Sequence, residues 1–472
     1  MSIQALELEW AWVEGTWQRN VWVTIDREGR FDAILGAEAT RPPRIEPTRV
    51  RGMALPGMVN VHSHAFQRGM AGAAEYRTAD HDSFWTWRRL MYHFVDQLTP
   101  DDMFVLARQT YLELLRGGYT SVGEFHYVHN DRDGRPYRAA TEMSDAILAA
   151  AADAGIRLCL LPALYQQAGF GGRPLETQGQ QRFALSVDEW LAQIESLSAA
   201  TDARTDVSVA AALHSLRAVD IAAARRALEG LEQIDYRGPL HMHVSEQQRE
   251  VDECLAHCGR RPVELALDEL NCDGRWTFIH ATHANAEELR RLALARVLVG
   301  LCPSTEANLG DGIFPTADWQ RLGGQLAIGS DSHIGLQGVA ELRLLEYVQR
   351  LRLQQRIVLQ GMEPREAEPS CGTWLYQCGL QGGARSLQLP LGEFAPGSFA
   401  DFVVLEREHP TLCGLPSERW LDAFVFADTG DLVQQVWVGG KRRIADRGHA
   451  QDSEARAAFQ AVRERILANW TG

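Results

Sequence analysis

Lysine is almost absent from this chain. The sequence of 472 residues contains 47 lysine and arginine residues, and its only lysine is Lys441, near the C-terminal end. A bridged two-metal centre of the carboxylated-lysine type needs a lysine at the end of a strand in the catalytic domain. The sequence therefore excludes that type of centre, and any cationic binding site has to be built from arginine.

Long apolar runs and leader-like features are also missing. No stretch approaches the roughly 20 apolar residues that a membrane-spanning helix requires. The N-terminal sequence MSIQALELEWAWVEG lacks the basic start and apolar core of a signal peptide. The eight cysteines include no CxxC pair, which suits reduced thiols. We therefore expect a cytoplasmic protein that has no membrane partner.

Positive charge is in deficit over the whole chain. The formal net charge is −15, which argues against nucleic acid and anionic membranes as partners. The hydrophobic content of 45% and charged content of 23% are ordinary for a soluble globular protein. We expect a small-molecule partner, and an acidic one would have to be held by local arginines.

A repeated pattern of apolar strand and amphipathic helix fills the middle of the chain. The apolar runs predict strands at 55–61, 120–125, 157–165, 207–214, 240–244, 276–280, 296–302 and 326–331. Eight such units with buried strands predict an α/β fold, a distorted (β/α)8 TIM-like barrel. Residues 68–98 are expected to form a long loop after the first strand, and a long helix is expected near 338–359.

Short strand-like segments occur at both ends of the chain. They lie at 21–25 and 31–35, and again at 399–405, 423–427 and 432–438. Neither group is long enough to form its own core, so we predict that they pair into one small composite β-sandwich. The expected domains are 1–54 (N-terminal part of the sandwich), 55–370 (catalytic barrel) and 371–472 (C-terminal part of the sandwich plus a terminal helix).

Histidine and acidic residues recur where the predicted barrel strands end. His62 and His64 close the first strand and share one face of an extended chain. Taken alone, this pair could also be two polar residues that close a strand. The fifth, sixth and eighth strands end in His241, His243 and Glu246, in His280, and in Asp331.

Because reactive groups of such barrels lie at the carboxyl ends of the strands, these side chains are expected to meet. We predict a mononuclear site formed by His62, His64, one of His241 or His243, and Asp331. Zinc suits these ligands, with iron or manganese as alternatives. A zinc ion lowers the pKa of its bound water to about 7, which indicates hydrolysis as the reaction class.

Several motifs carry a resemblance to a known family. LPGMVNVHSH at 55–64, His243 with Glu246 three residues later, His280, and SDSH around Asp331 resemble the amidohydrolase superfamily in its deaminase branch. GSFADFVV at 397–404 is similar to the C-terminal signature of that family. The loop CPSTEANLGDGIFP at 302–315, together with FWTWR at 84–88, resembles the formimidoylglutamate deiminases.

The resemblance covers essentially the whole chain and implies a specific activity. Such an enzyme would use one zinc ion per subunit to hydrolyse N-formimino-L-glutamate to N-formyl-L-glutamate and ammonia in histidine degradation. Its relatives are commonly homodimers, so the resemblance implies that state here. Its substrate would be a small dicarboxylate.

The resemblance also implies residue roles. It assigns the third histidine ligand to His243 and leaves His241 a structural role. Asp331 would bind the metal and take a proton from its water, Glu246 would pass a proton to the imino nitrogen of the substrate, and His280 would hydrogen-bond the attacking hydroxide. The implied substrate contacts are Gln67, Arg88, Tyr127, His214 and Arg217.

Some alternatives remain open at the level of sequence. Arginine suits bidentate carboxylate binding, but either Arg88 or Arg217 could also be a salt-bridged surface residue. Trp85 and Trp87 could belong to a lid or could simply pack the loop. The chain could instead deaminate an aminated heterocycle such as guanine or an aminopyrimidine. It could also be a non-catalytic barrel scaffold, but such a scaffold would be expected to lose metal ligands.

Overall fold

The computed structural model describes residues 4–39, 46–76, 84–360, 370–468 and 470. Its strands are, in chain order, β1 (Gln4–Val13), β2 (Thr16–Ile25), β3 (Phe31–Leu35), β4 (Thr48–Pro56), β5 (Met58–Ser63), β6 (Tyr119–His126), β7 (Arg157–Leu164), β8 (Val207–Val209), β9 (Ala211–Ser215), β10 (Leu240–Val244), β11 (Trp276–His280), β12 (Leu298–Leu301), β13 (Leu326–Ile328), β14 (Phe402–Leu405), β15 (Val433–Val438) and β16 (Lys441–Ile444).

The α-helices lie mostly between the barrel strands. They are α1 (Phe84–Gln97), α2 (Pro100–Arg116), α3 (Glu142–Ala154), α4 (Gln178–Gln181), α5 (Val187–Thr201), α6 (Ile221–Gln233), α7 (Gln248–Cys258), α8 (Pro262–Glu269), α9 (Ala286–Ala295), α10 (Pro303–Leu309), α11 (Thr316–Arg321), α12 (Gly338–Leu353), α13 (Cys371–Leu387), α14 (Trp420–Ala427) and α15 (Asp452–Leu467). Short 3₁₀ turns cover Ala65–Met70 and Ser417–Arg419.

Eight parallel strands form the predicted barrel. They neighbour one another in the order β13, β12, β11, β10, β9, β7, β6 and β5. A parallel bridge between Ser63 and Asp331 joins the first strand to the segment after the last one. Every residue of β5, β6 and β7 is buried, because the barrel interior covers one face and the surrounding helices cover the other. The predicted (β/α)8 fold is confirmed.

Local sequence signals set the helix ends. The Thr99 side chain accepts a hydrogen bond from the backbone N–H of Asp102, whose carboxylate accepts one from the backbone N–H of Thr99 in return. Pro100 occupies the first turn, where its missing N–H costs nothing. The helix ends at Arg116, and Gly117 is its C-terminal cap.

Strands from both ends of the chain form one separate sheet. Its order is β16, β15, β14, β4, β1, β2 and β3, and every pair is antiparallel except β1 with β4. Apolar side chains of β1, β2, β4 and β14 form a second core, distinct from that of the barrel. The composite terminal domain is therefore confirmed. The division at 54 and 370 stays a prediction, and α13, just beyond the second boundary, packs against β5 and β13.

Four local predictions differ from the structure. The segment 423–427, predicted as a strand, belongs to the helix α14, because a short apolar run does not distinguish a buried helix from a strand. The predicted strand 207–214 is split into β8 and β9. The predicted loop 68–98 contains α1, and the predicted helix 338–359 ends at Leu353.

The two alternatives for Trp85 and Trp87, a lid or packing of the loop after the first strand, both stay predictions, because the side chain of Trp85 lies outside the described residues. Among the helices that the structure describes, none has the length and apolar character to span a membrane.

Candidate metal and catalytic centre

Three histidine rings meet at the carboxyl ends of β5 and β10. The ligand atoms of His62, His64 and His243 lie within 4.8 Å of one another. His62 Nε2 is 2.9 Å from His243 Nε2. The Asp331 Oδ1 atom lies 3.6 Å from His62 Nε2 and 3.4 Å from His64 Nε2. His62 therefore contacts the other three side chains that were predicted as ligands or lies near them, and it also forms a second such group with His280 and Asp331.

Backbone carbonyls orient two of these rings. His64 Nδ1 lies 2.8 Å from the carbonyl oxygen of Phe125, and His243 Nδ1 lies 2.9 Å from that of His214. Because a carbonyl only accepts, each Nδ1 carries the proton and each Nε2 presents its lone pair to the centre. His241, the other candidate in β10, instead places its Nε2 3.0 Å from the carbonyl oxygen of Ser386.

The electrostatics of this cluster suit a divalent cation. Burial lowers the pKa values of His62 and His243 well below the ordinary value for histidine, and it lowers the pKa of His64 to about 3. The three rings therefore stay neutral and can bind a metal. Burial, with Glu246 and Glu306 nearby, raises the pKa of Asp331 to about 7 against the opposing effect of His280. A cation between these groups would favour the carboxylate, and three neutral imidazoles with one carboxylate fit zinc.

The closing seam of the barrel fixes Asp331. Its backbone N–H donates to the carbonyl of His62 at 2.9 Å, and the N–H of His64 donates to the carbonyl of Asp331 at 3.1 Å. Asp331 has a φ of 49°, a left-handed conformation that is rare for a residue other than glycine. The side-chain amide of Asn60 donates to the Ser330 hydroxyl at 2.6 Å, which ties the two sides of the seam together. Such strain at a strand end is common in functional sites.

His280 lies between the carboxylates of the centre. Its Nε2 is 3.7 Å from Asp331 Oδ2 and 4.0 Å from Glu246 Oε1. Its Nδ1 lies 3.1 Å from Glu306 Oε1. Burial alone would lower the pKa of His280, but the hydrogen bond to Glu306 and the charges of Glu246 and Asp331 raise it to about 10.

One cavity opens onto this centre. It is lined by all of the predicted site residues except the buried His62, namely His64, Gln67, Arg88, Tyr127, His214, Arg217, His243, Glu246, His280 and Asp331. The cavity therefore contains side chains from the start of the barrel, such as His64, and from its end, such as Asp331. These groups can polarise a substrate, move protons and hold an anion within one cavity.

The polar side chains of this cavity are held by their neighbours. Gln67 Nε2 donates to the Tyr127 hydroxyl at 2.9 Å, and Arg88 Nη2 donates to the Tyr165 hydroxyl at 3.2 Å. Arg217, which is buried, donates from Nη2 to Glu246 Oε2 at 3.2 Å.

Arg217 makes a second ionic contact inside the protein. Its Nε lies 3.7 Å from Glu250 Oε2. Burial alone would lower the pKa of the Arg217 guanidinium, but Glu250 and Glu246 raise it, so the group stays charged.

Sequence reasoning missed several residues in the cavity and next to it. Glu306 contacts His280 from outside the cavity lining, and the sequence indicates it only as part of the loop after the seventh strand. Its carboxylate also accepts the backbone N–H of Cys302 at 2.9 Å. Tyr165 could have been predicted from the sequence, because it ends the predicted third strand and strand ends in such barrels carry the site. The other missed residues are Met91, Phe183, Thr305, Leu309 and Ser332.

Comparisons with known proteins agree with this geometry. The profile of the amidohydrolase family matches residues 53–443. The formimidoylglutamate deiminase of Pseudomonas aeruginosa is 43% identical, over 98% of this chain and 100% of that protein. The 8-oxoguanine deaminase of the same organism is 28% identical, over 89% of this chain and 88% of that protein.

Solved structures show the same fold. An amidohydrolase from Brucella melitensis superposes with a TM-score of 0.88 at 38% identity, covering 98% of this chain and 100% of that one. An adenosine deaminase from Xanthomonas campestris with bound zinc superposes with a TM-score of 0.80 at 22% identity, over 98% of each chain.

Proposed function

The chain belongs to the amidohydrolase family, and from this membership we propose that it hydrolyses N-formimino-L-glutamate to N-formyl-L-glutamate and ammonia. The reaction class is hydrolysis of a C–N bond in a linear amidine. The observation that carries the proposal is that one cavity holds both the histidine and aspartate cluster and two arginines, Arg88 and Arg217. The first group suits hydrolysis and the second suits a dicarboxylate.

We propose that His62, His64, His243 and Asp331 hold one zinc ion per subunit. Their neutral rings, their converging Nε2 atoms and the single carboxylate support this set. When bound, zinc would supply Lewis acidity and lower the pKa of a water molecule to about 7.

The remaining steps are assigned to side chains of the chain. Asp331 would take the proton of the attacking water, since its Oδ2 faces His280 and the open cavity. Glu246 would carry a proton to the imino nitrogen of the substrate. Attack on the formimino carbon gives a tetrahedral intermediate, the C–N bond to the protonated nitrogen breaks, and ammonia leaves. His280 would stabilise the developing charge by hydrogen bonding, with Glu306 holding its Nδ1.

The carboxylates of the substrate would contact the arginines. Arg88 is half-buried and Arg217 is buried, and both carry planar guanidinium groups suited to bidentate contacts. Gln67, Tyr127 and His214 line the same cavity and would hydrogen-bond the rest of the glutamate portion.

The direct test is ammonia release from N-formimino-L-glutamate by purified, zinc-loaded protein, with metal content measured in the same preparation. We expect stoichiometric zinc and turnover. Zinc-loaded protein that leaves the substrate intact would contradict the proposed activity.

A second candidate function has some support. Because the 8-oxoguanine deaminase is similar over most of its length, oxidised guanine and aminopyrimidines belong in the same assay. Turnover of a heterocycle with none of formiminoglutamate would favour that reading. Absence of any stoichiometric transition metal would favour a non-catalytic scaffold.

We further propose a cellular setting and an assembly. The enzyme would act in the cytoplasm as a homodimer, in histidine degradation, with the barrel at 55–370 and the terminal domain at 1–54 and 371–472. The substrate class supports the pathway, and the net charge of −15 is consistent with having no nucleic-acid or anionic membrane partner. Light scattering on the purified protein tests the dimer, and a monomer mass would contradict it.

A further inference from the structure

A second cavity adjoins the catalytic one. Arg88, Tyr165, His214 and Arg217 line both cavities, so they form a shared wall. The other walls of the second cavity come from residues 168–173, which follow β7, and from α7. The carboxylate-binding end of the proposed substrate site therefore borders a second cavity.

Four arginines line the second cavity. Arg173 and Arg249 line its outer part, and their side chains are 53% and 54% exposed. Arg88 is half-buried and Arg217 is only 8% exposed. The four arginines of this cavity thus range from exposed to buried.

The outer arginines are held in place. Arg173 Nη2 lies 3.1 Å from Glu253 Oε2, and Arg249 Nε lies 2.8 Å from Glu253 Oε1. The Arg173 guanidinium also lies against Gly169, where an added Cβ would come within 2.5 Å of Nη2. The turn that brings it there is closed by the N–H of Ala168 donating to the carbonyl of Arg173 at 2.8 Å.

We propose that this second cavity is an anion-binding vestibule through which the dicarboxylate substrate reaches the catalytic centre, with Arg173 and Arg249 as its outer carboxylate contacts. The inference rests on the proposed function, which supplies the dicarboxylate. A chain of net charge −15 repels a dianion at long range, so a local path of positive charge is needed to bring it in. Glu253 competes with the incoming carboxylate for both arginines.

The test replaces the outer charges. In Arg173→Gln, Arg249→Gln and the double variant, we expect KM for formiminoglutamate at low ionic strength to rise, by about tenfold in the double variant, with kcat unchanged. The difference from wild type should shrink at high ionic strength, because salt screens exposed charges. The matched control is Arg290→Gln, which removes an equally exposed arginine (53%) that is paired with Glu287 and lines neither cavity.

A variant with the opposite expected effect on KM distinguishes the loss of charge from misfolding. Glu253→Gln removes the competing carboxylate and should lower KM. Calorimetric binding of glutarate to the zinc-loaded protein needs no turnover, and its affinity should weaken in the arginine variants and strengthen in Glu253→Gln.

The outcomes separate the vestibule from the proposed function. Wild-type turnover together with KM values and glutarate affinities equal to those of Arg290→Gln would overturn the vestibule and leave the function standing. A loss confined to kcat, or one independent of salt, would overturn it too. Lack of wild-type turnover would reject the function, while glutarate binding that still follows the arginine charges would support the vestibule.

Discussion

At the residue scale, the environments of Asp331 and Glu246 separate their proposed roles. Asp331 Oδ1 lies within 3.6 Å of two converging histidine nitrogens, as a ligand must. Glu246 has no such contact among the described residues and instead pairs with Arg217 at 3.2 Å. This difference supports the proposal that Asp331 holds the metal and that Glu246 carries the proton.

Glu246→Gln should accordingly keep its metal and lose rate. We expect stoichiometric zinc and a decrease in kcat of about 10²–10⁴-fold, the usual contribution of proton transfer. Elemental analysis and ammonia-release kinetics on the same sample measure both effects. Loss of zinc in this variant would mean that Glu246 is a ligand, and an unchanged kcat would remove it from the reaction.

The two arginines of the catalytic cavity should behave differently. In Arg88→Met, one charge-assisted contact with the carboxylate of the substrate is lost, so we expect KM to rise by about tenfold or more. We expect kcat to be nearly unchanged, because the protein partner of Arg88 in this cavity is the Tyr165 hydroxyl and not a proposed catalytic group. Arg217→Met also removes the partner of Glu246 and Glu250 and should lower kcat as well. Steady-state kinetics of the two variants decide this, and equal effects on kcat would argue against the assignment.

The sequence allowed the residues at strand ends to be predicted, but not those that depend on turns. His62, His64 and Asp331 are readable because strand ends of a parallel barrel converge. Glu306 reaches His280 only because Pro303–Leu309 folds into a short helix after β12. The choice of His243 over His241 came from the resemblance, and in the structure His241 turns to the carbonyl of Ser386 on α13.

At the element scale, buried strands were the most predictable parts of the fold. The runs that became β5, β6, β10 and β11 are apolar and bounded by turns, and all were predicted within a few residues. The segment 423–427 was wrong because its apolar residues pack on α12 and α13 as a helix, a tertiary effect that no local pattern reports. The periodicity of apolar residues therefore predicts the barrel strands better than it predicts the elements of the terminal domain.

A buried ion pair joins the terminal domain to the barrel. Arg157, the first residue of β7, donates from Nε and Nη2 to the Asp401 carboxylate at 2.6 and 3.0 Å, and both side chains are buried. Asp401 also accepts the N–H of Gly439 at 2.7 Å. The Arg157 guanidinium and the Asp401 carboxylate make a bidentate contact. Because both groups are buried away from water, each charge is stabilised by the other.

Asp401→Asn should therefore destabilise the fold. Removing one partner of a buried pair leaves an uncompensated charge, and we expect about 3–5 kcal/mol less free energy of unfolding. Asp431→Asn is the control, because its carboxylate is half-exposed where it contacts His409 and the loss of such a surface contact should change stability little. Urea unfolding of both variants gives the comparison, and similar losses would show that the buried pair is not a special link between the domains.

At the scale of the whole molecule, the proposed metal site lies on the seam where the barrel closes. His62 and His64 come from the first barrel strand and Asp331 follows the last one, so the ligands lie far apart in sequence. The Ser63–Asp331 bridge is the one strand pairing that the described residues show across this seam. A cation held by these side chains would add a link at the point where the barrel has least backbone pairing.

Metal removal should therefore lower the stability of the whole barrel as well as its activity. A ligand at 1,000 times its dissociation constant stabilises the folded state by about 4 kcal/mol, so chelation should lower the thermal midpoint and abolish ammonia release, and added zinc should restore both. Glu246→Gln, which keeps the ligands, should show the same shift in midpoint on chelation, whereas His64→Ala should show a much smaller one. A wild-type midpoint that is unchanged after complete zinc removal would mean that these side chains do not grip a metal across the seam.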